Sequence, residues 1–226
     1  MSQPGAGGDR KRVAVFISGG GSNMLSLAKA CQAQDWPAEI ACVISDKASA
    51  GGLAKAQALG IPTQVFERKD YSSKDEHEAA ILSVLDEVRP DIICLAGYMR
   101  LLSGEFIRRH AGHILNIHPS LLPLFPGLHT HHRAIDAGMK IAGCTVHFVT
   151  EGMDEGPIIA QAAVPVLADD TADTLAARLL PAEHQLYPLA LKLVAEGKVR
   201  MEDGRAVTIR NTSEVPGEPT LISGGV

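Results

Sequence analysis

From residue 13 the chain alternates short, nearly unbroken apolar runs with longer stretches whose apolar positions recur every three or four residues. The first kind predicts strands buried on both faces, the second amphipathic helices. Strands are predicted over 13–18, 39–45, 63–66, 91–96 and 114–117, with helices over 22–34, 52–59, 73–88 and 103–110 between them. Glycines follow the first strand and Gly60 closes the second helix, positions where a chain turns or a helix stops. Such alternation predicts an α/β fold with a Rossmann-like open, mostly parallel sheet flanked by helices.

After Asn116 the texture changes. Residues 118–132 carry Pro119, Pro123, Pro126 and Gly127 and read as a loop. A short helix is predicted over 133–137, then strands over 144–149 and 157–165. A last amphipathic helix over 171–195 is expected to bend near Pro188. Residues 1–11 read as a disordered tail. Residues 201–226, rich in Pro, Gly and Ser after Arg210, read as a largely disordered C-terminal extension. No repeat or linker interrupts 12–200, which reads as a single domain.

Composition narrows the partners. Hydrophobic residues make up 46% of the 226 and charged residues 21%, ordinary for a globular protein. A net charge of −5 without a long basic run argues against nucleic acid or an anionic membrane as ligand. A small anion stays open, because a few backbone amides hold one phosphate. Cys31, Cys42, Cys94 and Cys144 are scattered without a C-x-x-C pair and read as buried, reduced thiols. With no apolar stretch resembling a signal peptide or membrane span, the expectation is a soluble cytoplasmic protein.

Two segments carry candidate chemistry. Ser18-Gly19-Gly20-Gly21-Ser22-Asn23 joins the first strand to the first helix, where glycines let backbone approach a phosphate at the helix N-terminus. A flexible turn without ligand is the alternative. The dinucleotide fingerprint fails because Met24 stands where its third glycine belongs, and no Gly-Lys-Ser/Thr makes a P-loop. Asp46, after the second strand, either imitates a ribose-binding acid or is a turn residue.

The second segment, Asn116-Ile117-His118-Pro119, lies at the end of the fifth strand. Residues two apart in extended chain face one side, and Pro119 holds His118 extended. A carboxamide beside an imidazole suits attack by an amine on a formyl carbon, whose oxygen becomes an oxyanion needing donors. Asp154, in a Gly-flanked loop, would favour the imidazolium if brought near. A structural, hydrogen-bonding His118 is the plainer alternative. His129, His131 and His132 suggest a metal cluster but lack a Cys or carboxylate at zinc spacing, so no metal is expected and they either shape the mouth of a cleft or sit solvated there. His147, among apolar residues, reads as a core or supporting group rather than a ligand.

Several segments together resemble the phosphoribosylglycinamide formyltransferases, folate-dependent enzymes of purine synthesis. They are Ile17-Ser18-Gly19-x-Gly21-Ser22-Asn23, residues 95–102, 116–123 and 126–131, and His147-Phe148-Val149-Thr150 with Asp154, in order across 12–200. The resemblance implies the formyltransferase fold and transfer of formyl from 10-formyltetrahydrofolate, a co-substrate, to the amine of glycinamide ribonucleotide. It implies Asn116, His118 and Asp154 as catalytic trio, and Gly21, Ser22 and Asn23 against the acceptor's phosphate, with Glu183 against its sugar. Met99, Arg100, Leu101 and Leu102, with Thr150, Glu151, Gly152, Met153 and Asp154, would hold the folate, Asn116 would touch it, and Lys74 would lie near its glutamate tail. A monomer or homodimer is compatible with this reading. Alternatives are a formyltransferase or hydrolase of the same fold with another acceptor, or a non-catalytic nucleotide-binding module.

Overall fold

The computed structural model describes residues 10–209, so the expected disorder of the tail at 1–9 and of residues 210–226 lies outside the described residues. Contacts group the chain into two compact units, Met1–Arg100 and Leu101–Val226.

In the first unit, β1 (Lys11–Ile17) starts two residues before its apolar run, because exposed Lys11 and Arg12 still pair with Ala38 and Glu39 of β2 (Ala38–Ser45). Between these strands lies α1 (Ser22–Cys31), shorter than predicted because residues 32–36 close as turns on Lys29, Ala30 and Ala33. After β2 come α2 (Gly51–Ala58), β3 (Thr63–Val65), a 3-10 turn at Arg68–Asp70, α3 (Lys74–Val88) and β4 (Ile92–Leu95). Ser73 caps α3 by accepting from the Glu76 amide at 3.0 Å, which fixes where that helix begins.

These strands lie in the order β3-β2-β1-β4, all parallel. The chain therefore winds one way from β1 to β3 and returns to β1's other side with β4. Such a reversal opens a crevice at the carboxyl ends of the strands concerned. The glycine turn leaves β1 at that end. There the Ser18 hydroxyl accepts from the Met99 amide at 2.8 Å, tying the turn after β1 to the one after β4. Val13 to Ile17 are fully buried.

The second unit contains α4 (Gly104–Arg109), β5 (Ile114–His118), α5 (Thr130–Asp136), β6 (Ile141–Phe148), β7 (Ile158–Pro165) and α6 (Ala172–Ala195). Both β5–β6 and β6–β7 are antiparallel. Helix α6 runs through Pro181 and Pro188 and packs on β6 and β7. Its Tyr187 is wholly buried, and the hydroxyl donates to the Leu115 carbonyl of β5 at 3.0 Å, fastening helix to strand.

A hairpin follows, β8 (Val199–Glu202) and β9 (Arg205–Thr208), which from Met201 onward lies in the extension expected to be largely disordered. Asp203 and Gly204 both have positive φ, the two-residue turn that Asp-Gly favours. Charged residues within each four-residue strand hide it from a periodicity reading, but the Asp-Gly pair is a legible signal.

Candidate active site

The Asn-x-His-Pro segment ends β5, and the pairing with β6 sets Asn116 opposite His147 and His118 opposite Thr145. Asn116 Nδ2 lies 3.1 Å from His147 Nε2. His118, buried, donates through Nε2 to the Phe125 carbonyl at 3.0 Å and turns Nδ1 toward Asp154 Oδ2 at 3.4 Å. That same oxygen accepts the Gly127 amide at 2.8 Å. Asp154 has φ of 57°, the left-handed conformation that Asp tolerates better than most residues, and this backbone turn aims its carboxylate inward. Asn116, His118 and Asp154, apart in sequence, thus come together around His147.

The proline loop after β5 is held by a buried hydroxyl. Thr145 Oγ1 donates to the Ser120 carbonyl at 2.7 Å and accepts from the Leu122 amide at 3.0 Å and from Gln161 Nε2 at 2.9 Å. Gln161 Nε2 also donates to the Leu122 carbonyl at 2.9 Å. The loop thereby sets the Phe125 carbonyl and Gly127 amide where the trio meets them. Sequence reading assigned no supporting role to Phe125, Thr145 or Gln161 and marked Gly127 only as part of the loop, since a backbone group or a lone hydroxyl or amide carries no signature of what it holds. For His147, read as supporting, the hydrogen bond to Asn116 makes that support specific.

Around the trio, Leu128 and Met153 are exposed apolar side chains, and Gly127 lies close enough to Met153 that a Cβ there would sit 3.8 Å from its methyl. Leu101 is also exposed and Leu102 half-buried. Thr150 and Gly152 are half-buried, and exposed Glu151 is engaged by Arg108 at 2.6 Å. Glu183 is half-buried on α6; Cys144 is pushed up to about 12, by burial first and by the Glu183 charge second. His129 is the left-handed residue before α5, with His131 and His132 in its first turn. Among the described residues no group of three or more His, Cys, Asp or Glu is arranged to hold a metal ion.

In the first unit Gly21 precedes α1 with φ of 67°, and no side chain caps the helix. A Cβ on Gly21 would lie 2.7 Å from the Gly52 Cα, so glycine is needed for both conformation and space. Ser22 and Asn23 open the helix. Lys55 Nζ donates to the Gly20 carbonyl at 2.8 Å, adding positive charge beside the turn. Asp46, 1% exposed at its side chain, receives Arg100 Nε at 2.8 Å, so its carboxylate has a cation of its own beyond the turn role. Met99 is exposed. Lys74 is half-exposed and reaches Glu78 at 3.7 Å across one helical turn.

A family model described as formyl transferase matches residues 11–191. The chain is 48% identical over 196 residues to the phosphoribosylglycinamide formyltransferase of Haemophilus influenzae, covering 87% of this chain and 92% of that one. It is 51% identical over 197 residues to the trifunctional purine biosynthetic protein adenosine-3 of Bos taurus, covering 87% of this chain but 20% of that protein, about a fifth of its length. A crystal structure of phosphoribosylglycinamide formyltransferase from Brucella melitensis is 72% identical, covers 83% of this chain and 96% of that one, and superposes with a TM-score of 0.81.

Proposed function

The chain belongs to the formyl transferase family, and from that premise we propose that it transfers the formyl group of 10-formyltetrahydrofolate to the amine of 5'-phosphoribosylglycinamide, a step of purine synthesis. The observation that carries the reading is the meeting of Asn116, His118 and Asp154 at the end of β5. Oriented donors beside a histidine–carboxylate pair suit a reaction that makes an oxyanion and moves protons.

The glycinamide nitrogen, neutral when it reacts, attacks the formyl carbon. A carbon–nitrogen bond forms and the carbonyl π pair moves onto oxygen. The Asn116 amide stabilises that oxyanion, joined by His118 Nε2 as its N–H exchanges the Phe125 carbonyl for the oxyanion. The tetrahedral species then collapses and the bond to N10 breaks. The attacking nitrogen loses one proton and N10 gains one, with His118 and Asp154 as the route. Gly21, Ser22 and Asn23 hold the acceptor's phosphate, supported by an uncapped helix N-terminus and a left-handed glycine. Glu183 takes the sugar. For the folate, the second unit offers the apolar side chains Leu101, Leu102 and Met153 and the backbone of 150–154; the first unit offers Met99 and Arg100, with Lys74 for the glutamate tail. Holding both substrates in reacting orientation supplies a further large part of the rate.

Deformylation of 10-formyl-5,8-dideazafolate, followed by absorbance, tests this. Release that requires glycinamide ribonucleotide and falls by about 10²–10³ in Asn116→Ala and His118→Ala is expected. Release without an acceptor would identify a hydrolase. Normal turnover in both variants would sink the assignment of the trio.

A further inference from the structure

His147 sits opposite Asn116 in the β5–β6 ladder and is 2% exposed. Its Nδ1 lies 2.9 Å from the Phe148 carbonyl oxygen, a group that can only accept, so a ring proton is on Nδ1. Burial draws the imidazole below its ordinary pKa and His118 works in the same direction, against the Phe148 carbonyl and the Asp154 charge. Near neutral pH the ring therefore holds one proton, and Nε2 is a bare lone pair. The Asn116 group 3.1 Å away has to be the donor, its amide nitrogen. Asp154 Oδ1, 3.9 Å from Nε2, is too far to compete.

An asparagine carboxamide has two ends of nearly equal shape and opposite polarity. Turned over, Asn116 would present a carbonyl oxygen to a developing oxyanion and repel it. Held by a lone pair, it keeps its nitrogen on that side, with one proton committed to His147 and a second available. The backbone is built around this ring. The β6–β7 register shifts between Val146 and His147. A Cβ on Gly156 would fall 1.7 Å from the Phe148 oxygen and 3.3 Å from His147 Nδ1, so only glycine there leaves room for the carbonyl that takes the ring's proton.

We propose that His147 is a positioning residue, whose neutral, Nδ1-protonated ring takes one N–H of the Asn116 carboxamide and so turns the second N–H toward the reacting carbonyl oxygen. The functional half of this inference rests on the formyl-transfer reading; the tautomer does not.

His147→Leu, which removes the lone pair, lowers kcat by about 10- to 100-fold and leaves KM for both substrates within about twofold. His147→Gln, whose Oε1 accepts where Nε2 did, restores kcat to within about fivefold of the parent. In the unaltered protein, nitrogen NMR of labelled histidine shows His147 protonated at Nδ1 and bare at Nε2. A proton on Nε2, or a folded His147→Leu protein with full kcat, overturns the proposal. Should His147→Leu fail to fold, the NMR signature of the parent still decides the tautomer and the Gln variant the kinetics. Should the chain formylate no ribonucleotide, the functional reading fails while the tautomer is still read.

Discussion

At Asp154 one residue meets two demands that a substitution separates. Its left-handed backbone turns the carboxylate inward, and its charge faces His118 Nδ1 at 3.4 Å. Asparagine tolerates that conformation and can still accept the Gly127 amide, so Asp154→Asn keeps the loop and loses only the charge. Its urea midpoint is expected to shift little, while turnover falls by about 10² or more if the carboxylate serves proton transfer. Near-normal turnover would remove Asp154 from the chemistry. At this scale the sequence displayed residue types well. Asn116 and His118 announced themselves by spacing two apart before a proline. The supporting atoms were not legible, because the Phe125 carbonyl and Gly127 amide belong to the backbone and no side chain marks them as partners of the trio.

Elements begin and end where local hydrogen bonds decide, and the start of α6 shows how strongly. Asp170 receives Arg178 through both guanidinium nitrogens at 2.6 Å, the Leu167 amide at 2.8 Å and the Thr174 hydroxyl at 2.9 Å. Thr171 and Thr174 cap the helix reciprocally just beyond. The Arg178 hydrogen bonds, reinforced by Leu167 and Thr174, hold the Asp170 carboxyl well below the usual carboxylate range. In acid the unfolded chain therefore binds this proton before the folded one does. The stabilisation is fully present above the unfolded value of about 3.9 and is lost as pH falls through the lower folded value. Urea titrations of the parent and Asp170→Asn should differ most above about pH 5, the gap narrowing steadily below about pH 4. A gap independent of pH would mean that the pair adds no charge-dependent stability. Element identities were legible throughout the regular regions because buried strands and amphipathic helices leave different periods. The ends at Lys11 and Cys31 were not, since the ladder and the turns that set them are indifferent to hydrophobicity.

Across the described residues, the four cysteines are buried and none forms a disulfide. Burial pushes Cys31 and Cys42 up to about 11 and Cys144 up to about 12. A thiol reagent at pH 8 should find almost no reactive thiolate in the native protein and four after unfolding in guanidinium. Prompt native reaction at Cys144 would contradict its placement in β6.

By itself the sequence determined the α/β class, most elements and the chemical types at the candidate site, because each follows from local pattern or from side-chain chemistry. The motifs in order were enough to suggest the family. Strand order around β1, the antiparallel pairs of β5 to β7, and the direction of the Asn116 carboxamide were decided by the tertiary structure. Those depend on which backbone groups find partners far along the chain. His147 is the plainest instance: its neighbours in sequence mark it as buried, but only its pairing across β5 and β6 shows what the burial holds in place.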